Sequence, residues 1–226
     1  MKSIYERVLG EKFKQLHPVL QKKFSLHSES SEIAVGEGTM SVIRGGKSWM
    51  KFLFTLGTRR DLLFPERGEN VPFKIINKAF KDPFGRETVA WIRRFHFESI
   101  TRGFDATMVY SENTDAIIDY LGNRQRLISP LDFHVTKSGG LCIQSRRAYF
   151  WIGKIRIMAP VWASPIAKVL EEVKSDNKTV SIHVTVTHPL FGMLIEYIGE
   201  FSLSYPLHLN DILIERVYPK RFEKQE

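Results

Sequence analysis

A chain of 226 residues that is 43% hydrophobic and 12% aromatic, with 16 Phe, can bury a sizeable core, which excludes a disordered chain. Its one cysteine, Cys142, excludes an intrachain disulfide and with it a secreted disulfide scaffold, so a reducing, cytoplasmic compartment is expected. Thirty-three Lys and Arg against 25 Asp and Glu give +8, but the basic residues are scattered into small clusters such as Arg93-Arg94 and Arg146-Arg147, so no specific nucleic-acid binding is expected.

The chain opens on a charged stretch, Met1 to Lys12, with no apolar run behind it, unlike a secretory signal. Ser3 and Glu6 form a capping box, and Ile4, Val8, Leu9 and Phe13 recur at helical spacing. Pro18 suits the first turn of a second helix presenting Val19, Leu20 and Phe24. Residues 1–27 thus read as a helical cap, and residues 33–217 as a β-rich body of the same single domain, 1–226. Ile33 to Arg44 reads as a twisted or bulged strand, and the spacing of Trp49, Phe52, Leu53, Leu56 and Leu63 predicts a helix near 48–63.

Alternation then takes over. Phe73, Ile75, Asn77 and Ala79 share one strand face; Val89, Trp91, Arg93, Phe95 and Phe97 share a second; Phe104, Ala106, Met108 and Tyr110 share a third. Ser138-Gly139-Gly140 predicts a hairpin from Leu131–Val135 into Leu141–Phe150, which places Ser145, Arg147 and Tyr149 on one face. Lys178 to His188 and Gly192 to Tyr205 read as two further strands. Eight or so antiparallel strands of about ten residues, at ~3.3 Å each, are long enough to curl. The fold class expected is therefore α+β: a mainly antiparallel long-stranded curved sheet or barrel under a helical N-terminal cap. The most apolar stretch, Ala148 to Leu170, carries Lys154, Arg156 and Lys168, so no transmembrane segment is expected.

Few motifs carry chemistry. Gly45-Gly46-Lys47-Ser48 imitates the end of a phosphate-binding loop, but Ser41 stands where that loop needs Gly. Gly36-Glu37-Gly38 lacks the third glycine of a dinucleotide fingerprint and reads as a bulge. His183 and His188 fall on opposite strand faces and no Cys pair accompanies them, so no metal set and no cofactor is implied. Asp132 and His134 share a polar strand face, where an exposed pair is the reading favoured over a general base. Tyr149, Trp151, Trp162, Lys154 and Arg156 have the composition of a membrane-interface anchor or a base-stacking surface, against which stands a strand pair whose aromatics fill the core.

Arg93 is the most informative residue. If Trp91, Phe95 and Phe97 face the interior, parity puts Arg93 there too, and a buried guanidinium needs an anion. Glu200 is the internal candidate, favoured over a ligand carboxylate or phosphate. Arg147 poses the same question nearer a strand end.

Four stretches together resemble a bacterial domain family of unknown function: Ser3-Ile4-Tyr5-Glu6-Arg7 with Leu16-His17-Pro18, Gly36-Glu37-Gly38-Thr39-Met40 with Arg44-Gly45-Gly46, Trp91-Ile92-Arg93-Arg94-Phe95, and Pro189-Leu190-Phe191-Gly192 with Tyr197 and Gly199. That family occurs stand-alone, at the C-terminus of YndJ-type membrane proteins and behind saccharopine-dehydrogenase-like modules. The resemblance implies one intact bacterial domain and carries no assigned activity. The function expected is a non-catalytic module that binds an apolar or amphipathic acidic small molecule, lipid-like ligands included, in a curved-sheet cavity. Its expected ligand-binding residues are Arg93, Trp91, Arg147, Tyr197 and Glu200. Two alternatives are an enzyme acting on a similar molecule, and an interaction domain serving a membrane or redox partner.

Overall fold

A computed structural model describes residues 1–46, 54, 61–152, 155–207 and 219. Of these, 54% lie in strands and 12% in helices. The helix expected near 48–63 and the Lys47-Ser48 half of the glycine motif fall largely outside the described residues.

The N-terminus forms the expected cap. Helix α1 (Ile4–Leu9) is closed by a full capping box, Ser3 and Glu6 each bonding the other's backbone, and continues as a 3-10 turn over Gly10–Gln15. Helix α2 (Pro18–Phe24) starts on Pro18, with the His17 ring accepting from the Val19 amide. Ser3 Oγ donates to the Phe24 carbonyl at 2.6 Å and locks the two helices together.

Among the described residues thirteen strands follow, rather than the expected eight or so. They are β1 (Ala34–Gly45), β2 (Gly68–Lys81), β3 (Glu87–His96), β4 (Thr101–Gly103), β5 (Ala106–Ser111), β6 (Ala116–Leu121), β7 (Leu127–Val135), β8 (Leu141–Ser145), β9 (Tyr149–Ile152), β10 (Ile155–Met158), β11 (Ile166–Val173), β12 (Thr179–His188) and β13 (Gly192–Ser204). Ten of them close on themselves in the order β7-β6-β5-β3-β2-β1-β13-β12-β11-β8 and back to β7, every pairing antiparallel. The result is a closed ten-stranded barrel, which leaves no free edge in its wall.

The expected inward faces are inward. Phe73 and Ile75, Trp91 and Phe95, Ala106 and Met108, and Val180, Ile182 and Val184 all enter one interior core with Tyr5, Leu20 and Phe24 of the cap. Tyr5 meets the Phe24 and Phe133 rings edge-on at 4.8 and 5.9 Å, so the cap plugs one end of the barrel. The His17 amide donates to the Gly139 carbonyl and the His17 ring pairs with Asn177, which ties the cap to the β7–β8 and β11–β12 turns.

Three strand readings need correction. The bulge in β1 lies between Met40 and Val42 and not at Gly36-Gly38, whose glycines instead let β13 approach closely. Leu141–Phe150 is not one strand: β8 ends at Ser145, alternation is lost, and Arg147 comes out exposed. The aromatics of Ala148–Trp162 do not fill the barrel core either. Strands β9 and β10 form a hairpin outside the wall, where Tyr149 and Trp151 cover Val109, Ile118, Tyr120 and Ile128 on the barrel's outer face.

Candidate functional site

The barrel lumen is built around a buried charge. Strand parity turns Arg93 of β3 inward, where it is 3% exposed. Its Nε donates to the Phe104 carbonyl at 2.6 Å and its Nη1 to the Tyr197 hydroxyl at 3.1 Å, with the guanidinium 4.2 Å above the Phe104 ring. All of these partners are neutral. Arg93 forms no ion pair with a carboxylate among the described residues, because the nearby Asp105 is held by the side chain of Arg94 and by the Arg93 amide.

The predicted partner is elsewhere. Glu200 lies on the outer face of β13, half-exposed and bonded to Lys174 at 2.7 Å. Parity explains it: Tyr197 and Phe201 of the same strand are buried, so the residue between Phe201 and Gly199 points out. Arg147 is also outside, donating to the backbone carbonyl of Ala159. Trp91 and Tyr197 are inside with Arg93. The structure therefore brings together Arg93, Trp91 and Tyr197 and leaves Arg147 and Glu200 on the surface. Asp132 and His134 face solvent as expected, with Asp132 bonded to Arg146.

Three interior charges besides Arg93 were not foreseen. Lys23 of α2 reaches from the cap to Glu171 of β11, at 2.7 and 2.6 Å to its two oxygens, both side chains almost fully buried. Burial pulls the Lys23 ammonium below its usual range, against the opposing pull of Glu171. Around it lie the rings of Phe24, Trp91 and Phe201, each about 5 Å away. Trp91 Nε1 donates to the Tyr5 hydroxyl at 2.8 Å, which donates in turn to the Met108 sulfur.

The third charge is Asp119 of β6. It faces inward between Ile117 and Leu121, and its Oδ1 is buried with no hydrogen-bond partner among the described residues. Burial raises its carboxyl to about 7, opposed by the positive charge of Arg93. Arg93, Asp119 and Trp91 line one small cavity of about 30 Å³ with Phe104, Leu121 and Ala167. A neighbouring apolar cavity of about 50 Å³ shares Phe104, Leu121, Ser145 and Ala167, and reaches Leu62, Leu63, Ala148 and Pro165 at the uncapped end. Each has room for a few water molecules.

The sharing of wall residues reflects a seam. Strand β8 is only five residues long, so beyond Ser145 nothing bridges β7 to β11 by a ladder. Side-chain bonds take over there: the Ala148 amide donates to Ser164 Oγ and the Ala167 amide to Ser145 Oγ, each at 2.8 Å.

Comparison with known proteins places the chain. The model of a domain of unknown function, DUF4166, matches residues 16–201. The chain belongs to the DUF4166 family. Among its relatives is the uncharacterized protein YndH of Bacillus subtilis (strain 168), 34% identical over 202 residues, which cover 89% of this chain and 97% of YndH. No solved structure matches. The family match takes in Trp91, Arg93, Asp119, Glu171 and Tyr197 of this DUF4166 barrel, while Tyr5 lies before it. Among the described residues no helix is long and apolar enough to cross a membrane.

Proposed function

We propose that this DUF4166 barrel binds a small organic acid, its carboxylate held by Arg93 and Tyr197 and its apolar body lying in the cavity beside Phe104, Leu121 and Ala167. The supporting observation is a buried guanidinium whose partners are all neutral. Lys23 and Glu171 cancel each other, and Asp119, with its carboxyl near 7, neutralises Arg93 only in part. An anion is what this lumen lacks. Tyr197 adds a second donor, since its oxygen already accepts from Arg93 and its proton meets no acceptor among the described residues. The cavity volumes favour a compact acid over a long-chain lipid unless Leu62 and Leu63 move aside.

The enzymatic alternatives named from sequence find no support in this geometry. Asp132 and His134 are exposed, and Glu200 is separated from Arg93 by the barrel wall.

The test is calorimetric titration with hexanoate, with hexan-1-ol as its uncharged counterpart, alongside native mass spectrometry of the purified protein. Hexanoate should bind and hexanol bind weakly. Arg93→Met should abolish hexanoate binding and retention of any copurified acid while leaving the apo protein at least as stable. An Arg93→Met protein that binds hexanoate as the parent does would sink the proposal.

A further inference from the structure

We propose that the β9–β10 hairpin and the turn after it form a docking surface for an anionic lipid bilayer. Strand β10 is an edge strand outside the barrel, and its Ile155, Ile157 and Met158 are exposed. The short 3-10 turn Val161–Ala163 that follows presents Val161 and Trp162, which are 70% and 60% exposed. Leu190 and Met193, at the β12–β13 turn, are exposed at the same end of the barrel, opposite the helical cap. An edge strand with bare isoleucines beside an exposed Trp is costly to leave in water, and soluble proteins usually blunt such edges with charge or cover them.

Charge argues for lipid as the cover. Residues 122–170 hold eight Lys and Arg and one acid, Asp132; Lys137 lies in the β7–β8 turn at the capped end, and the other seven basic residues lie elsewhere in the stretch. Asp132 is already bonded to Arg146. The acids paired at this end of the barrel are also taken, Glu66 by Arg102, Asp105 by Arg94 and Glu196 by Arg44. Arg124 and Arg126, in the β6–β7 turn, and Arg147, at the hairpin's base, are exposed. Aliphatic side chains and one Trp with exposed arginines nearby match the boundary between acyl chains and anionic headgroups. A nucleic-acid surface would need several exposed rings for stacking, and here Tyr149 and Trp151 are turned against the barrel wall, which leaves Trp162 without a second exposed ring beside it among the described residues.

The surface is continuous with the cavity. Ala148 and Pro165, which flank the hairpin and its turn, line the apolar cavity at the short-β8 seam. A docked barrel would present that seam to the bilayer. The inference goes beyond the acid-binding reading and does not depend on it.

Flotation of the full chain with phosphatidylcholine vesicles, with and without phosphatidylglycerol, tests the proposal. The protein should float with the phosphatidylglycerol-containing vesicles, weakly with phosphatidylcholine alone, and less as salt rises. Ile157→Ser and Trp162→Ala, both at exposed positions, should each lower the partition coefficient on the order of tenfold with the thermal midpoint unchanged. Arg124→Glu with Arg126→Glu should weaken binding and flatten its salt dependence. Arg93→Met should float like the parent, which separates this surface from the acid site. No flotation with anionic vesicles overturns the proposal, as does flotation indifferent to the hairpin substitutions. So does tight retention of a single-stranded RNA that the same substitutions abolish, or a dimer that they split in the absence of flotation.

Discussion

Asp119 and Arg93 line the same cavity without bonding to each other, and the Asp119 Oδ1 has no hydrogen-bond partner among the described residues. The stability of the barrel therefore depends on pH. Asp119 holds its proton up to about 7 when folded, against 3.8 for the ordinary carboxyl, so its stabilising contribution is complete below about pH 4 and is lost as pH rises to about 7. Asp119→Asn removes this dependence. Urea denaturation should find the variant equal to the parent near pH 4 and more stable near pH 8, by up to about 4 kcal/mol. A second consequence concerns the proposed acid: a carboxylate at Arg93 would raise Asp119 further, so hexanoate binding should take up a proton and weaken above about pH 7.

Lys23 and Glu171 are a test of the opposite kind. Glu171→Gln leaves the Lys23 ammonium buried without its counterion and should cost on the order of 3 kcal/mol in chemical denaturation. The double change Lys23→Met with Glu171→Leu should recover most of that loss, because two apolar side chains strand no charge. Equal stability of the single variant and the parent would mean the cap does not seal this end.

Much of the barrel was legible because most wall strands bury one face only. Val180, Ile182, Val184 and Val186 alternate with Ser181, His183, Thr185 and Thr187, and the turn glycines at 139 and 140 mark a hairpin. Strand β6 was not legible, since Ala116, Ile117, Ile118, Asp119 and Tyr120 are buried on both faces, the outer one under the β9–β10 hairpin, and show no period of two. With β6 went Asp119. Glu171 was lost for the same kind of reason, its strand β11 blending into the apolar run that precedes it. Lys23 left a usable trace, standing three residues after Leu20 on the face that also carries Phe24. Arg93 was found by parity, and parity applied to Tyr197 and Phe201 would have rejected Glu200.

Tyr197→Phe isolates one hydrogen bond. The ring keeps its edge-on contact with Phe95 at 5.1 Å, while Nη1 of Arg93 loses its acceptor. A loss of about 2 kcal/mol in apo stability is expected, together with weaker hexanoate binding.

Glycines in the wall should differ sharply from glycines in turns. A Cβ at Gly38 would collide with the Glu200 carbonyl, and one at Gly199 with that of Thr39, so Ala at either position pries β1 from β13 and should cost more than about 3 kcal/mol. Gly85 has open space around it and only its positive φ of 80° to protect, so Gly85→Ala should cost about 1 kcal/mol. Thermal melts of the three variants would separate the two classes.

The first strand of the barrel is zipped to the last. Val35 and Ser204 are partners across the β1–β13 ladder although 169 residues separate them. Closure of so long a loop comes late, after its entropy has been spent, and until then β1 and β13 each present a bare ladder to other chains. A ribosome has nearly finished with this domain before the wall can shut, so its folding should be slow, largely post-translational and sensitive to crowding by its own copies.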